Sequence, residues 1–441
     1  MKRQPRHYFL VGISGSSMSG LKKLLEGKGF LVSGSDLQLK GHSAANITPD
    51  IDLVVATQAA LSPQAPAYVE IEAARRLNIP VVSRAQALNM VARGHLTIAI
   101  AGTHGKTTTA TLVARLLEEL GEDPLANIGG EVAEWGSGSR VGSGKYFVVE
   151  ACEYEKQFLH FEPFAAVLTN IEYEHFDTYS SFSLLLRTFE EFVRKIPKEG
   201  RLIVCAESKE ALLVSKESRA LTKSYGFSRL ADYQIEILPK PKEGGEAFCL
   251  NDYSFQTLLE GKANILNCAG ALALLIELGF ARERLQEALL AIKPPKRRLD
   301  FLGEKRAVLY YDDYGHHPTE IKASLSALRR KYPKRRIILV FEPHQGVRTL
   351  KLYKEFAAIL KEADELLVLP VFAVAGRDIG REKMLGLSKK IASLASGQSV
   401  ADYEEAGSLL RKLARPGDII LTMGATTVYK IAQKLLRDKD E

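Results

Sequence analysis

The chain of 441 residues predicts an α/β fold of three domains, and three observations carry that expectation. Short apolar runs alternate with amphipathic stretches from end to end, the pattern of parallel strands joined by crossover helices. Glycine-rich or acidic turns recur where those runs stop, as ligand-binding edges of parallel sheets require. The length exceeds what one core fills, since domains average roughly 150 residues.

The elements follow in order. Phe9 to Ile13 reads as a buried strand, Met18 to Gly27 as a helix and Phe30 to Ser33 as a second strand, followed by Asp36. That is a Rossmann-like start. Its turn, Gly12 to Gly20, keeps three glycines without the dinucleotide spacing, so a hydride-transfer cofactor is not supported. Strands at Asp52 to Thr57 and Ile79 to Ser83 flank a helix from Tyr68 to Asn78, and this first domain is expected to cover 1–93.

The second domain, 94–294, opens with a strand at Thr97 to Ala101 and a plausible helix from Ala110 to Leu120. Between them lies Gly102-Thr103-His104-Gly105-Lys106-Thr107-Thr108-Thr109. The glycines permit a tight turn, amides at the helix start face an anion, Lys106 neutralises phosphate charge and Thr107 can ligate magnesium. ATP with Mg2+ is the expectation, although Ile100 stands where longer phosphate loops carry a glycine. Strands at Tyr146 to Val149, Ala165 to Thr169 and Arg201 to Cys205, with a helix at Phe182 to Lys195, predict a central parallel sheet of P-loop ATPase type. Interrupted pieces from Tyr225 to Phe255 read as antiparallel, Ala263 to Leu278 as a helix, and Pro294-Pro295 as a boundary. The third domain, 295–441, repeats a Rossmann-like alternation: strand Ala307 to Tyr311, helix Pro318 to Lys331, strand Arg336 to Phe341, helix Leu350 to Lys361, strands Glu365 to Leu369 and Asp418 to Thr422, helix Ala425 to Arg437.

Composition excludes several classes. The net charge of +7 is spread among interspersed acids and bases, which suits anionic small molecules and argues against a nucleic-acid partner. Cys152, Cys205, Cys249 and Cys268 lack metal-ligand spacing, so they read as reduced core thiols of a cytoplasmic protein with no metal cluster. The run Tyr8 to Ile13 is too short for a signal core, and no apolar stretch approaches the roughly 18 residues of a membrane span. No membrane partner is expected, and the chain reads as a monomer or homodimer.

Further clusters sit at strand ends. Glu150 to Glu153 and Glu172 to Asp177 follow two central strands, where Glu150 and His175 could hold a metal ion beside phosphate; capping or surface pairing is the bland alternative for each alone. Asp312-Asp313-Tyr314-Gly315-His316-His317-Pro318 could be a helix cap and nothing more, but adjacent histidines are unusual in a chain with nine. Glu342 to Thr349 adds His344 and Arg348, a set that could bind a carboxylate.

Taken together, GTHGKTTT, TNIEYEHFDTY, DDYGHHPTE, PH followed by RT, and GSD at Gly34 to Asp36 resemble the motifs of the Mur ligase family over essentially the full chain. The resemblance is greatest to the branch that adds L-alanine. It implies an ATP-dependent ligase joining a small amino acid to the lactyl carboxylate of UDP-N-acetylmuramate through an acyl phosphate, in peptidoglycan precursor synthesis. It also implies roles. Gly102 to Thr108, Asn264, Asn267, Arg298 and Asp313 would serve ATP, with Lys106 on the transferring phosphate, Thr107 and Glu150 on one magnesium and His175 near a second. Gly15, Ser16, Ser17, Met18, Ser19, Asp36 and His42 would serve the UDP-sugar, and His316, His344 and Arg348 the amino acid or the sugar's carboxylate.

The chain departs from that pattern at Ser14, Ser17, Cys152, Tyr154, Ala263, Gln345 and Arg377, and its segment between Asp36 and His42 is short. Gln345 and Arg377 leave glycine or serine open as acceptors, Glu153-Tyr154-Glu155 also resembles the murein tripeptide ligases, and an inactive nucleotide-binding relative is the alternative from another class.

Overall fold

The structure is a computed structural model and describes residues 6–39, 41–242, 244–374 and 379–438, without the side chains of Ser16 and Gln58. Arg377 falls outside the described residues. Three sheets follow one another along the chain.

In the first, strands β1 His7–Val11, β2 Leu31–Ser35, β3 Leu53–Ala56 and β4 Val81–Ser83 are all parallel, in the order β2-β1-β3-β4. Helices α1 Ser16–Gly27, α2 Tyr68–Arg76 and α3 Arg84–Val91 connect and cover them. The first strand stops at Val11 rather than Ile13 because Gly12 turns to φ +78°, outside the extended region. Helix α3, unread in the sequence, starts from a capping box in which Ser83 and Gln86 satisfy each other's backbone amides.

The central sheet has ten strands: β5 Leu96–Ala101, β6 Leu125–Val132, β7 Ser137–Arg140, β8 Tyr146–Glu150, β9 Ala165–Leu168, β10 Arg201–Cys205, β11 Leu221–Gly226, β12 Tyr233–Ile237, β13 Glu246–Leu250 and β14 Tyr253–Thr257. Their order is β14-β13-β12-β11-β10-β9-β5-β8-β6-β7. The pairs from β6 to β12 are parallel, while β7, β13 and β14 add antiparallel edges. Helices α4 Lys106–Glu119, α5 Phe182–Arg194, α6 Lys209–Ser215, α7 Lys262–Glu277 and α8 Arg282–Ala291 complete it. Helix α4 begins four residues earlier than expected, at Lys106, because Gly105 at φ +79° turns the chain directly into the first turn.

The third sheet holds β15 Asp300–Lys305, β16 Val308–Asp313, β17 Ile337–Phe341, β18 Glu365–Val368, β19 Gln398–Ser399 and β20 Ile419–Met423. Its order is β15-β16-β20-β17-β18-β19, parallel except for the β15–β16 pair. Helices α9 Pro318–Lys331, α10 Gly346–Leu360, α11 Arg381–Leu394, α12 Tyr403–Leu413 and α13 Tyr429–Arg437 flank it. Strand β16 runs two residues past the expected Tyr311, since Asp312 and Asp313 are themselves buried in the sheet.

Packing groups the units unequally. Apolar residues of β1, α1 and α3, among them Leu10, Met18 and Leu88, share one cluster with Val149, Phe158 and Phe189 of the central unit. The third unit keeps two clusters of its own, one on each face of its sheet. At roughly 1.5–3 kcal/mol per fully buried large apolar side chain, these clusters supply the main cohesion of each sheet.

Candidate active site

Strand β5 lies between β8 and β9, so three carboxyl ends open side by side. That edge is where open parallel sheets bind ligands. The turn after β5 carries Gly102 at φ +130° and Gly105 at φ +79°. A Cβ on Gly102 would sit 2.2 Å from Thr169 Oγ1, and one on Gly105 would sit 2.4 Å from Asn267 Oδ1, so only glycine fits either place. The amides of Thr103 and His104 donate to the Asn170 carbonyl and side chain at 2.9 Å each. Two loop amides expected to face an anion are thus already committed, which leaves the first-turn amides of α4, whose donors have no partner inside the helix.

Lys106 Nζ donates to the carbonyls of Gly102 and Thr103 and lies 3.0 Å from Glu153 Oε2. Burial would lower the lysine, but the Glu153 carboxylate outweighs it and holds the ammonium above its ordinary value. Burial would raise Glu153, yet Lys106 and His175 hold its carboxyl down at about 2. Thr107 Oγ1 donates to Glu150 Oε2 at 2.8 Å, and the Gly129 amide donates to the same oxygen. His175 sits at φ +53°, an uncommon backbone state for a histidine, and points its Nε2 to within 3.4 Å of Glu153 Oε1. Burial opposes its charge, but contacts with Cys152 and Glu153 raise it to about 9. Its Nδ1 is buried with no hydrogen-bond partner among the described residues.

Two cavities meet here. The larger, about 930 Å³, is lined by Lys106, Glu150, Glu153 and His175 on one side and Arg297, Arg298, His316 and Arg348 on the other. The smaller, about 320 Å³, runs between Thr108, Asn264 and Asn267 of the central unit and Arg298, Asp313 and Ser324 of the third. Asn267 and Asn264 are bonded to each other at 3.1 Å, and Asn267 also accepts from Thr109. Arg298 borders both cavities, with its guanidinium over the Tyr314 ring. Asp313 turns inward: it accepts from the amides of Gly315 and Leu299 and from Ser324, and burial raises its carboxyl to about 6.

The third unit closes over the loop through charge. His104 lies between Glu320 of α9 at 3.2 Å and Glu172 at 3.5 Å, and Thr319 donates to Glu172 at 2.8 Å. Burial would lower His104, but the two carboxylates raise it to about 9. His317 caps α9 by accepting from the Thr319 amide, and burial holds it near 4. His316 borders the larger cavity, bonded to the Tyr314 carbonyl, and burial holds it near 4 as well. Arg348 is 4% exposed and donates to Glu174 at 2.6 Å, a buried pair between units. His344 stacks on Phe372 and meets His316 edge to face.

The expected UDP-sugar residues lie apart from these two cavities. Neither cavity is lined by Gly15, Ser17, Met18, Ser19, Asp36 or His42. The Met18 and Ser19 amides already donate to the Gly15 carbonyl, and the Met18 side chain is core. Asp36 holds its own loop by accepting from Ser14 and Gln38. His42 Nδ1 lies 3.0 Å from Glu70 and 3.1 Å from Ser35. The reading of Cys152 as a core thiol is corrected: it is half-buried at the larger cavity, grouped with Glu153 and His175.

Residues the sequence did not single out complete the site. Glu153, Glu172 and Glu174 lay inside quoted motifs, and their partners identify them only in three dimensions. Arg297 donates to Asp312 and lies between the Tyr314 and Tyr429 rings. Arg84 ties the Ser17 carbonyl to the Asn127 side chain at 2.9 and 2.7 Å, and no motif signals it.

Known proteins share this arrangement. The model named Mur ligase family, catalytic domain, matches residues 7–96; Mur ligase middle domain matches 100–275; Mur ligase, glutamate ligase domain, matches 297–426. UDP-N-acetylmuramate–L-alanine ligases of Clostridium kluyveri and Carboxydothermus hydrogenoformans are 34% and 36% identical, each with 99% of this chain and 98% of the relative aligned. Among solved structures, the UDP-N-acetylmuramate-alanine ligase of Thermotoga maritima shares the fold with a TM-score of 0.79 at 23% identity, over 98% of both chains. A murein peptide ligase of Psychrobacter arcticus gives 0.72 at 26% identity, again over 98% of both. Matched in all three parts and at full length, the chain belongs to the Mur ligase family.

Proposed function

We propose that this protein is an ATP-dependent ligase that joins L-alanine to the lactyl carboxylate of UDP-N-acetylmuramate in peptidoglycan precursor synthesis. The observation that carries the reading is the convergence of the phosphate loop, the acidic ends of β8 and β9 and the cationic face of the third unit on one cavity, in a chain whose full-length relatives bear that activity. The division of labour follows: 1–93 for the UDP-sugar, 94–294 for ATP and 295–441 for the amino acid, in a cytoplasmic enzyme. Among the described residues no helix is long and apolar enough to cross a membrane.

ATP phosphorylates the lactyl carboxylate; the alanine amine then attacks the acyl carbon, and the tetrahedral adduct expels phosphate to leave an amide. Lys106 positions the transferring phosphoryl group, to which it turns from Glu153. First-turn amides of α4 support the phosphate oxygens. Thr107 and Glu150 present paired oxygens of the kind magnesium takes, and His175 offers an unpartnered nitrogen, so these residues fit divalent cations. A bound cation supplies charge neutralisation to the phosphates. Asn264 and Asn267 border the nucleoside cavity, and Arg298 borders both cavities from the third unit. Third-unit contacts across the loop exclude water from the acyl phosphate. His316, His344 and Arg348 form the wall where the amino acid enters, while Gly15 to Ser19, with Asp36, offer the UDP-sugar a turn outside the cavities.

The test is an acceptor panel with ATP, Mg2+ and UDP-N-acetylmuramate, scored by product mass. L-alanine should give the amide and stoichiometric phosphate. Phosphate release without the sugar nucleotide, or product only with a preformed tripeptide, would refute the assignment.

A further inference from the structure

The larger cavity contains a donor set unlike the Thr107–Glu150 oxygen pair. The Cys152 thiol, a Glu153 oxygen and a His175 ring nitrogen lie within 4.8 Å of one another. They sit beneath the carboxyl ends of β8 and β9, where Glu153 and His175 are held by different loops. Lys106 reaches both Glu153 oxygens, Oε2 at 3.0 Å and Oε1 at 3.3 Å, and Oε1 also lies 3.4 Å from His175. Oε1, the farther of the two from Lys106, can turn to the cluster while Oε2 keeps the lysine pair. The buried Nδ1 of His175, without a hydrogen-bond partner among the described residues, marks a second donor in need of a partner. All three side chains line the cavity, so a ligand can reach them.

The chemistry of the set decides which ion it suits. Magnesium demands octahedral oxygen donors and sheds water reluctantly. Thiolate and imidazole together suit Zn2+ or Co2+, and three protein donors with one open position are the arrangement of zinc sites that also bind a substrate or water oxygen. We infer that Cys152, Glu153 and His175 form a borderline-soft divalent-cation site that takes Zn2+ or Co2+ in preference to Mg2+, beside the harder Thr107–Glu150 pair. This rests on the ligase reading only for what occupies the open position, a phosphate oxygen. On binding, the Cys152 S–H bond and one N–H bond of the charged His175 ring break, both protons leave to solvent, and the sulfur and nitrogen lone pairs form the bonds to the metal, with no change of oxidation state.

Full-length metal-free protein is titrated with Co2+ alone, without nucleotide, and read by absorbance. A thiolate-to-cobalt charge-transfer band in the near ultraviolet should grow to saturation, and Zn2+ should bleach it at concentrations where Mg2+ does not. Cys152→Ser should lose the band and weaken Co2+ binding by roughly tenfold or more, the scale on which even outer-sphere partners of a metal act. Cys152→Asp should lose the band and shift preference from Zn2+ toward Mg2+. His175→Gln should weaken Co2+ binding comparably while keeping all four cysteines. Unfolding curves matching the parent establish that the variants are folded. Co2+ binding without the band in the parent, or a band that survives in Cys152→Ser, overturns the inference. Because no substrate is present, this result is independent of the acceptor panel: ligase activity without the band removes only the metal site, and the band without ligase activity removes only the proposed function.

Discussion

The chain carries two glycine turns between a strand and a helix, after β1 and after β5, and they have different surroundings. After β5, neighbours converge: Asn170 straps the loop, Glu153 meets Lys106, Glu150 meets Thr107 and Glu320 reaches in from the third unit. After β1, the partners only hold the turn in place: Gly15 accepts from Met18 and Ser19, Ser35 and Asp36 at the end of β2 accept from Gly12, Ile13 and Ser14, and Arg84 ties the Ser17 carbonyl. A glycine pattern therefore marks a turn, and a site is marked by what other strands bring to it. Gly102 and Gly105 are forced by close approach of neighbours, whereas Gly12 answers only to its own backbone, with nothing near its Cβ position.

Three tests press on this contrast. The largest effect belongs to Lys106→Ala, which should cut turnover by at least about 10²- to 10³-fold, the loss typical of one electrostatic stabiliser. UDP-sugar affinity by calorimetry should stay within about twofold, since the hydrogen bonds of Lys106 to Gly102, Thr103 and Glu153 all lie within the central unit. Equal losses in a folded variant would mean that the two turns serve one site.

A smaller effect should come from pH, through the histidines that fasten the third unit over the β5 turn. His104 is raised from 6.5 to about 9 in the closed arrangement, so closure is fully supported below 6.5 and weakens as pH climbs through 9. His317 and His316 are held near 4, so between about 4 and 6.5 an open form takes protons that the closed one refuses, and closure weakens as pH falls. Interdomain distance, followed by scattering or a fluorophore pair, should therefore be shortest near pH 6.5. A monotonic profile would show that these contacts do not govern closure.

The smallest effect is expected at His42. Replacing it with alanine leaves Glu70 with fewer partners, costing about 1–3 kcal/mol of stability by denaturant unfolding. The KM for the UDP-sugar should be unchanged. A rise in KM with unaltered stability would place His42 on the ligand face.

Much of this molecule was legible in its residues. Alternating runs such as Thr97 to Ala101 and Arg201 to Cys205 name parallel strands, because a strand covered on both faces must be apolar throughout. Motif residues fell at strand ends for the same reason. Helices α11 and α12 were missed because the strand that separates them, β19, is two residues long and polar, so no apolar run marks where one helix ends and the other begins. The pairs Lys106–Glu153 and Glu174–Arg348 join distant positions, 47 and 174 residues apart, and depend on strand order. Cys152 was misread because no spacing rule links it to His175 across two strands.

The apolar clusters differ in one further respect with a thermodynamic consequence. The first and central units share a core, while both clusters of the third unit are its own, and it meets the β5 and β9 ends through ion pairs such as His104–Glu320 and Arg348–Glu174 and the His104–His317 ring contact. Swinging that unit away would wet little hydrocarbon, so its opening should carry almost none of the heat-capacity increment that accompanies exposure of apolar surface. Prising the first unit from the central one would carry a large one. The enthalpy of opening that hinge should therefore stay nearly constant with temperature across the range in which the enzyme remains folded.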